Sequence, residues 1–307
     1  MVHLHIETPV HQNAAINNRL NKNIYLKMDC YQPSGSFKLR GIGALCQHAL
    51  ESGKQTIVSS SGGNAGYSAA YAARQLGLDA VVVMPENAPE TARERIRGEG
   101  AEVIVKGAVW DEADAYARQL ADERNGAYIH PFDNAVVWTG HSTLIDEAVK
   151  QCPQPDVVVV SVGGGGLMVG VVEGMQRHGW TDVPVLAIET EGAASFGESI
   201  RTGQHVKLER ITSIAHTLGA LKVTPKAIEW AQQHPITPVQ VTDASAVNAC
   251  LRFADDMRVV VEPACGASLS LIYDNVHHLD GYQNVLVIVC GGAGVMMEQL
   301  LRWSREV

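Results

Sequence analysis

The stretch Ser34-Gly35-Ser36-Phe37-Lys38-Leu39-Arg40-Gly41 places one lysine after small residues and an aromatic, where a helix is expected to start. A surface lysine more commonly has polar neighbours. These neighbours can wall off solvent, and desolvation disfavours the ammonium form, leaving a more nucleophilic amine. Taken alone, a single lysine in a turn reads as a solvated side chain. Three further stretches change that reading: Ser61-Gly62-Gly63-Asn64-Ala65-Gly66, Gly163-Gly164-Gly165-Gly166-Leu167 and Val289-Cys290-Gly291-Gly292. All four fall where a strand is expected to pass into a helix, and ligands of open parallel sheets collect at such passages.

Working outward from the lysine, Ile24–Met28 alternates as a short strand, and from Thr56 the rhythm is β-α-β-α-β. Strands are expected over Thr56–Ser60, Ala80–Met84 and Glu102–Val105, with helices over Tyr67–Leu76, Pro89–Gly98 and Trp110–Arg124. The second half carries more deeply apolar strands, Asp156–Ser161 and Val285–Cys290, with a shorter one over Val185–Ile188. Their lack of alternation fits strands covered by helices on both faces. Helices are expected over Val136–Lys150, Leu167–Arg177, Pro225–Gln233, Ala244–Asp256, Ala264–His277 and Val295–Trp303. The class is α/β with parallel pairing. No linker or internal repeat marks a domain boundary, so pattern alone does not split the chain.

Composition narrows the function. The 307 residues favour two domains over one, and 46% hydrophobic with 19% charged residues is an ordinary globular balance. A net charge of −9 argues against nucleic acid or an anionic membrane as partner. The longest apolar runs, such as Val157–Val160, are too short to span a bilayer. No signal peptide is expected, and the six scattered cysteines form no C-x-x-C pair. That usage suits a reducing cytoplasm better than a disulfide framework or zinc site. The twelve histidines show no metal-ligand spacing backed by other ligands.

Four successive glycines, Gly163–Gly166, leave backbone N–H groups unshielded ahead of a helix N-terminus, and both features favour a phosphate. A flexible turn and a dinucleotide loop are the alternatives. Glu189 falls 23 residues after Gly166, so spacing alone leaves the dinucleotide loop open. Ser61 with the amides that follow can grip a carboxylate, or Ser61 and Asn64 can simply cap a helix. Cys290 closes an apolar run, where a buried cysteine is most often a small hydrophobe. Glu189 is one acidic residue at a strand end, a position usually solvated.

Together these stretches resemble the pyridoxal-phosphate (PLP) enzymes of the tryptophan-synthase-β fold (fold type II). Among these they are most similar to the L-serine/L-threonine dehydratases, including the short serine dehydratases and serine dehydratase-like proteins. The pattern S-x-S-F-K-x-R-G is specific to that family, and the resemblance runs from about Pro9 to Trp303. It implies two open, twisted, mostly parallel sheets wrapped by helices. A smaller domain, 40–132, is inserted in a larger one built from 1–39 and 133–307, with the active site in the cleft between them. No regulatory domain is expected.

For the site, the resemblance makes Lys38 the amine that holds PLP and later moves protons. Phe37 and Phe132, in Pro131-Phe132-Asp133, flank the cofactor. Asn64 reaches its phenolic oxygen, and Gly163, Gly164, Gly165, Gly166 and Leu167 hold its phosphate. Cys290 partners the pyridine nitrogen, and a neutral thiol there disfavours transamination. Ser61, Gly62, Gly63 and Ala65 bind substrate. A monovalent cation, with K+ the candidate, is implied at the Glu189 carboxylate and the carbonyls of Gly163, Ala193, Leu218 and Ala220. Most dehydratases carry Ala where this chain has Gly62, and serine racemases carry a Ser as second base. Gly62 cannot be a base, which argues against a racemase, and it is expected to leave extra space. The implied reaction is β-elimination of a small amino acid by a homodimer: L-serine to pyruvate and ammonia, with L-threonine to 2-oxobutyrate beside it. The alternatives are β-replacement of the cysteine-synthase type and a non-catalytic amino-acid-binding protein.

Overall fold

The computed structural model describes residues 4–86 and 88–307, and these divide into two compact units. One unit holds residues 4–6 with Gln32–His141, and the other holds Glu7–Tyr31 with Ser142–Val307. The expected smaller domain, 40–132, falls wholly inside the first unit, which also takes in Lys38 and Phe37. Residues 1–3 of the expected range 1–39 lie outside the described residues.

The chain enters the second unit through β1 (Val10–His11), α1 (Ala14–Leu20) and β2 (Asn23–Lys27). Asn13 starts α1 by accepting the N–H groups of Ala15 and Ile16. The first unit then runs through α2 (Lys38–Glu51), β3 (Thr56–Ser59), α3 (Asn64–Leu76), β4 (Asp79–Met84), α4 (Glu90–Gly98), β5 (Glu102–Val105), α5 (Trp110–Glu123) and β6 (Ala127–Ile129). Its four strands are parallel in the order β5-β4-β3-β6. The period-2 alternation of β4 explains how both faces are covered. Val81 and Val83 join Val58 and the Ala113, Ala117 and Leu120 face of α5. Val82 and Met84 point the other way, to Ala70 of α3 and Ile96 of α4. Small residues Ala65, Ala69, Ala72 and Ala73 let α3 pack on Leu39, Ile42 and Leu45 of α2.

Helix α6 (Ala135–Gln151) contributes to both units, the division falling between His141 and Ser142. The second unit continues through β7 (Val157–Ser161), α7 (Gly166–Arg177), β8 (Val185–Thr190), α8 (Ser195–Thr202), α9 (Pro225–Ala231) and β9 (Ile236–Val241). It closes with α10 (Asp243–Met257), α11 (Pro263–Leu269), β10 (Asn284–Ile288) and α12 (Met297–Glu306). Its six strands take the order β1-β2-β10-β7-β8-β9, all parallel except β1 against β2. Every residue of β7 and β8 is buried, which is why neither alternates.

Two mostly parallel sheets with covering helices are what the sequence implied. The helix expected over Ala264–His277 is a correction: α11 stops at Leu269 and tightens into 3-10 turns at Ser270–Ile272 and Val276–Leu279. The Ser270 hydroxyl donates to the Ala267 carbonyl at 2.7 Å. The Ser270 carbonyl accepts the N–H groups of Tyr273, Asp274 and Asn275. β9 is an addition, an edge strand carrying Pro238, the place where a sheet tolerates proline.

Candidate active site

In the first unit, Lys38 is the first residue of α2 and is half-buried. Gly35, at φ 73°, makes the preceding turn, and its N–H donates to the Gln32 carbonyl at 2.6 Å. Lys38 Nζ donates to the Pro131 carbonyl at 2.6 Å and lies 5.1 Å from the centroid of the Phe37 ring. The Phe37 ring in turn packs on His141, with centroids 4.9 Å apart. His141 is fully buried, and neither ring nitrogen has a hydrogen-bond partner among the described residues. Burial, with the charges of Lys38, Arg40 and His5, holds that imidazole far below its ordinary pKa. Lys27 is a second buried lysine, in the other unit. It is spent on structure: its Nζ donates to Thr8 O and Glu147 Oε2 at 2.6 Å and to Gln151 Oε1 at 2.9 Å.

The Ser61–Ala65 stretch links β3 to α3 as expected. Gly63 occupies the N-cap position without a side-chain cap, and Asn64 is the first helical residue, buried. The Ser61 hydroxyl accepts the Gly63 N–H at 3.3 Å, so it shapes a local turn. The extra space expected at Gly62 is filled. A Cβ built there would stand 2.4 Å from Met84 Cε, because the fully buried Met84 side chain reaches under the loop. Ser60, next in line, donates to Asp114 Oδ1 at 2.6 Å. Asp114 also accepts from Tyr128 and, at 2.8 Å, from Arg118 Nε. Burial pushes the Asp114 carboxyl up, but these hydrogen bonds outweigh it and leave the group below its ordinary value.

His130, which motif reading missed, sits beside the lysine. Its Nδ1 accepts the N–H groups of Phe132 at 3.3 Å and Asp133 at 2.8 Å. Its ring meets Phe132 edge-on, with centroids 4.8 Å apart at 79°. Burial is the main cause that pushes the His130 imidazole down to about 4. Arg118 and Lys38 act in the same direction, against Asp133 and Asp114.

In the second unit the four glycines join β7 to α7. Gly165 has φ +86°, and a Cβ there would stand 2.7 Å from Val223 Cγ2 and 3.1 Å from Ala227 Cβ. Only glycine fits. Gly163 lies against Leu218, where a Cβ would come within 3.0 Å of the Leu218 Cα. The Gly164 carbonyl accepts from Thr224 N at 3.0 Å, which pins the loop. α7 begins at Gly166, and its N-cap residue Gly165 offers no side-chain cap to the N-terminal amides. This donor set suits a phosphate.

Cys290 lies two residues beyond β10 and is buried. Its thiol is pushed far up, first by a hydrogen bond with Cys265, then by burial, with Glu262 and Cys30 adding. A neutral thiol is the result. Glu262 is itself buried and accepts from Thr217 Oγ1 at 2.6 Å. Gly291 and Gly292, at φ 90° and 133°, carry the chain past it. Neither Cys265 nor Glu262 was singled out from the sequence, although both lie in the short run Glu262-Pro263-Ala264-Cys265-Gly266 at the start of α11.

Glu189, expected as a usually solvated group, is fully buried in β8. It accepts from Phe196 N at 2.8 Å and Gly197 N at 2.7 Å. Burial pushes its carboxyl up to about 7 against those two hydrogen bonds. A carboxylate engaged by helix amides is not the free acid that grips a ribose in a dinucleotide site. Ala193 follows β8 and donates its N–H to the Thr190 carbonyl at 3.0 Å, while the Leu218 carbonyl accepts from Ala220 N at 2.7 Å. Among the described residues, no cluster of three or more His, Cys, Asp or Glu could hold a metal ion. Nor is any helix long and apolar enough to cross a membrane.

Parallel α/β sheets, a lysine at a helix start in one unit and, in the other, a glycine loop whose amides suit a phosphate are features of enzymes built around a phosphorylated carbonyl cofactor. The chain belongs to the pyridoxal-phosphate dependent enzyme family, whose model matches residues 2–291. It is 44% identical over 317 residues to an L-serine dehydratase of Dictyostelium discoideum, covering 97% of this chain and 91% of the relative. It is also 44% identical over 307 residues to the human L-serine dehydratase/L-threonine deaminase, at 97% and 94% coverage. A crystal structure of a fungal L-serine ammonia-lyase from Rhizomucor miehei superimposes with a TM-score of 0.93 at 37% identity, over 99% of both chains.

Proposed function

We propose that this protein is an L-serine dehydratase that converts L-serine to pyruvate and ammonia, with L-threonine, giving 2-oxobutyrate, as second substrate. The observation that carries the reading is Lys38, held half-buried at a helix start with its amine 2.6 Å from the Pro131 carbonyl. It stands in a chain with dehydratase relatives at 44% identity.

Bound pyridoxal phosphate supplies an aldehyde carbon for amino groups and a conjugated ring that draws electron density from the substrate Cα. With the cofactor bound, Lys38 would hold that carbon and, once released by the substrate amine, would take the Cα proton. Gly163, Gly164, Gly165, Gly166 and Leu167 grip the phosphate with backbone N–H groups, as the uncapped start of α7 supports. Ser61, with the amides of Gly62, Gly63 and Ala65, grips the substrate carboxylate, and Asn64 holds the phenolic oxygen. Phe37 and Phe132 flank the ring. Cys290 donates from a neutral thiol to the pyridine nitrogen, and its Cys265 partner and burial keep it neutral. Such a partner would leave the bound ring a modest electron sink, chemistry that suits loss of the β-hydroxyl rather than transamination. The hydroxyl leaves as water with one proton, balancing the one Lys38 takes from Cα, and that water returns when the released product hydrolyses, so serine gives pyruvate plus ammonia with no net oxidation.

The proposal includes K+ at the Glu189 carboxylate and the carbonyls of Gly163, Ala193, Leu218 and Ala220. The contact of Gly163 with Leu218 supports that set. It also includes a homodimer and a cytoplasmic location, the latter supported by six free cysteines.

Pyruvate release from L-serine, with PLP and K+ supplied, tests the reading. The wild type is expected to produce pyruvate steadily. Lys38→Ala is expected to lose both turnover and the visible absorbance of lysine-bound cofactor. Retention of both by the variant, or a folded wild type without pyruvate, would sink it.

A further inference from the structure

The Lys38 acceptor is one end of a peptide group whose other end is also held. Pro131 C=O accepts from Lys38 Nζ at 2.6 Å, and the N–H of the same peptide, on Phe132, donates to His130 Nδ1 at 3.3 Å. The peptide is planar and trans, so fixing its N–H fixes the direction of its carbonyl. The next peptide is pinned as well: Asp133 N donates to the same His130 Nδ1 at 2.8 Å, and Trp138 Nε1 donates to the Phe132 carbonyl at 2.7 Å. His130 can accept two N–H groups only if Nδ1 keeps its lone pair, which puts the ring proton on Nε2. It follows directly on β6, so the ring is anchored by a strand on one side and by the turn it organises on the other.

We propose that His130 is a positioning residue for Lys38: it turns the Pro131–Phe132 peptide so that the Pro131 carbonyl faces the Lys38 amine. This rests on the dehydratase reading for its substrate but not for its geometry. A neutral amine that donates one N–H to Pro131 has the direction of its lone pair restricted. Once it has taken a proton, the ammonium still donates to the same oxygen, which favours the charged product of that transfer. The edge contact with Phe132 fixes that ring in the same turn.

Two substitutions separate positioning from bulk. His130→Leu keeps comparable volume without an acceptor. His130→Asn keeps an acceptor, since an Asn side-chain oxygen can take the same backbone N–H groups in an Asx turn. Three quantities are measured on the full chain: hydrogen exchange at the Phe132 and Asp133 amides, kcat and KM for L-serine, and the rate at which added PLP restores the visible band to cofactor-stripped protein. His130→Leu is expected to speed amide exchange, to lower kcat about tenfold or more with a smaller change in KM, and to slow band recovery by a similar factor. His130→Asn is expected to recover most of each loss. A His130→Leu protein within twofold of wild type in both kcat and band recovery overturns the proposal, as does His130→Asn failing equally. If the wild type makes no pyruvate, the serine reading falls and positioning is decided by band recovery and exchange alone.

Discussion

Gly62 and Gly165 stand in equivalent places, each between a parallel strand and a helix, in different units. They are glycines for different reasons. Gly165 has φ +86°, and its missing Cβ would meet Val223, Thr224 and Ala227, short or branched side chains next to a backbone bond from Thr224 to Gly164. None of these atoms can step aside. Gly62 is not left-handed, and the one close atom is Met84 Cε at 2.4 Å, with the next contact at 3.5 Å. The tip of a methionine is the most adaptable group a core offers. One glycine is demanded by the backbone, and the other is matched to a movable neighbour.

Breaking the rigid side should have the larger effect. Gly165→Ala adds about 1–2 kcal/mol of left-handed strain and about 1–3 kcal/mol of overpacking at the start of α7. The expected outcome is a lower melting temperature and a PLP affinity reduced more than tenfold, read by titrating the visible band. Normal cofactor affinity in this variant would remove the contrast between the two loops. Gly62→Ala should cost about 1.5 kcal/mol or less, because Met84 can change rotamer, and should alter kcat/KM for serine severalfold. Combining it with Met84→Val, which shortens the intruding side chain, sharpens the comparison. The double variant should be more stable than the two single losses predict, with a coupling of about 0.5–3 kcal/mol from urea unfolding. Strict additivity would mean that Met84 is not what Gly62 accommodates.

The legible parts of this molecule were those written in consecutive residues. The lysine turn, the four-glycine loop and the unalternating strands β7 and β10 each announce their own geometry. Met84 does not. It lies 22 residues after Gly62 and meets it only because β3 and β4 pair with Ser59 opposite Val82. His130 reads as one more histidine until the turn after β6 folds its Nδ1 back on two amides. Cys265 matters through Cys290, 25 positions later, on a different element. The passage of α11 at Leu269 into a 3-10 turn is a change that helical periodicity does not record. Motifs carry local chemistry, whereas side chains that position it across a sheet emerge only with the fold.

Glu189 gives the most direct view of the implied cation site. Its carboxyl is pushed up to about 7 by burial, against an ordinary value of 4.5, so the folded state binds its proton more tightly than the unfolded state. The resulting stabilisation is fully present below the unfolded value and is lost as pH rises through about 7. At most about 3 kcal/mol is at stake. Without K+, the urea midpoint should fall between about pH 5 and pH 8, and Glu189→Gln should remove that portion of the slope whatever its effect on absolute stability. Added K+ should act on the wild type alone. A cation at the carboxylate favours its charged form, so the fall should shrink as K+ saturates. If K+ leaves the wild-type slope unchanged, Glu189 serves only to start α8 through the Phe196 and Gly197 amides.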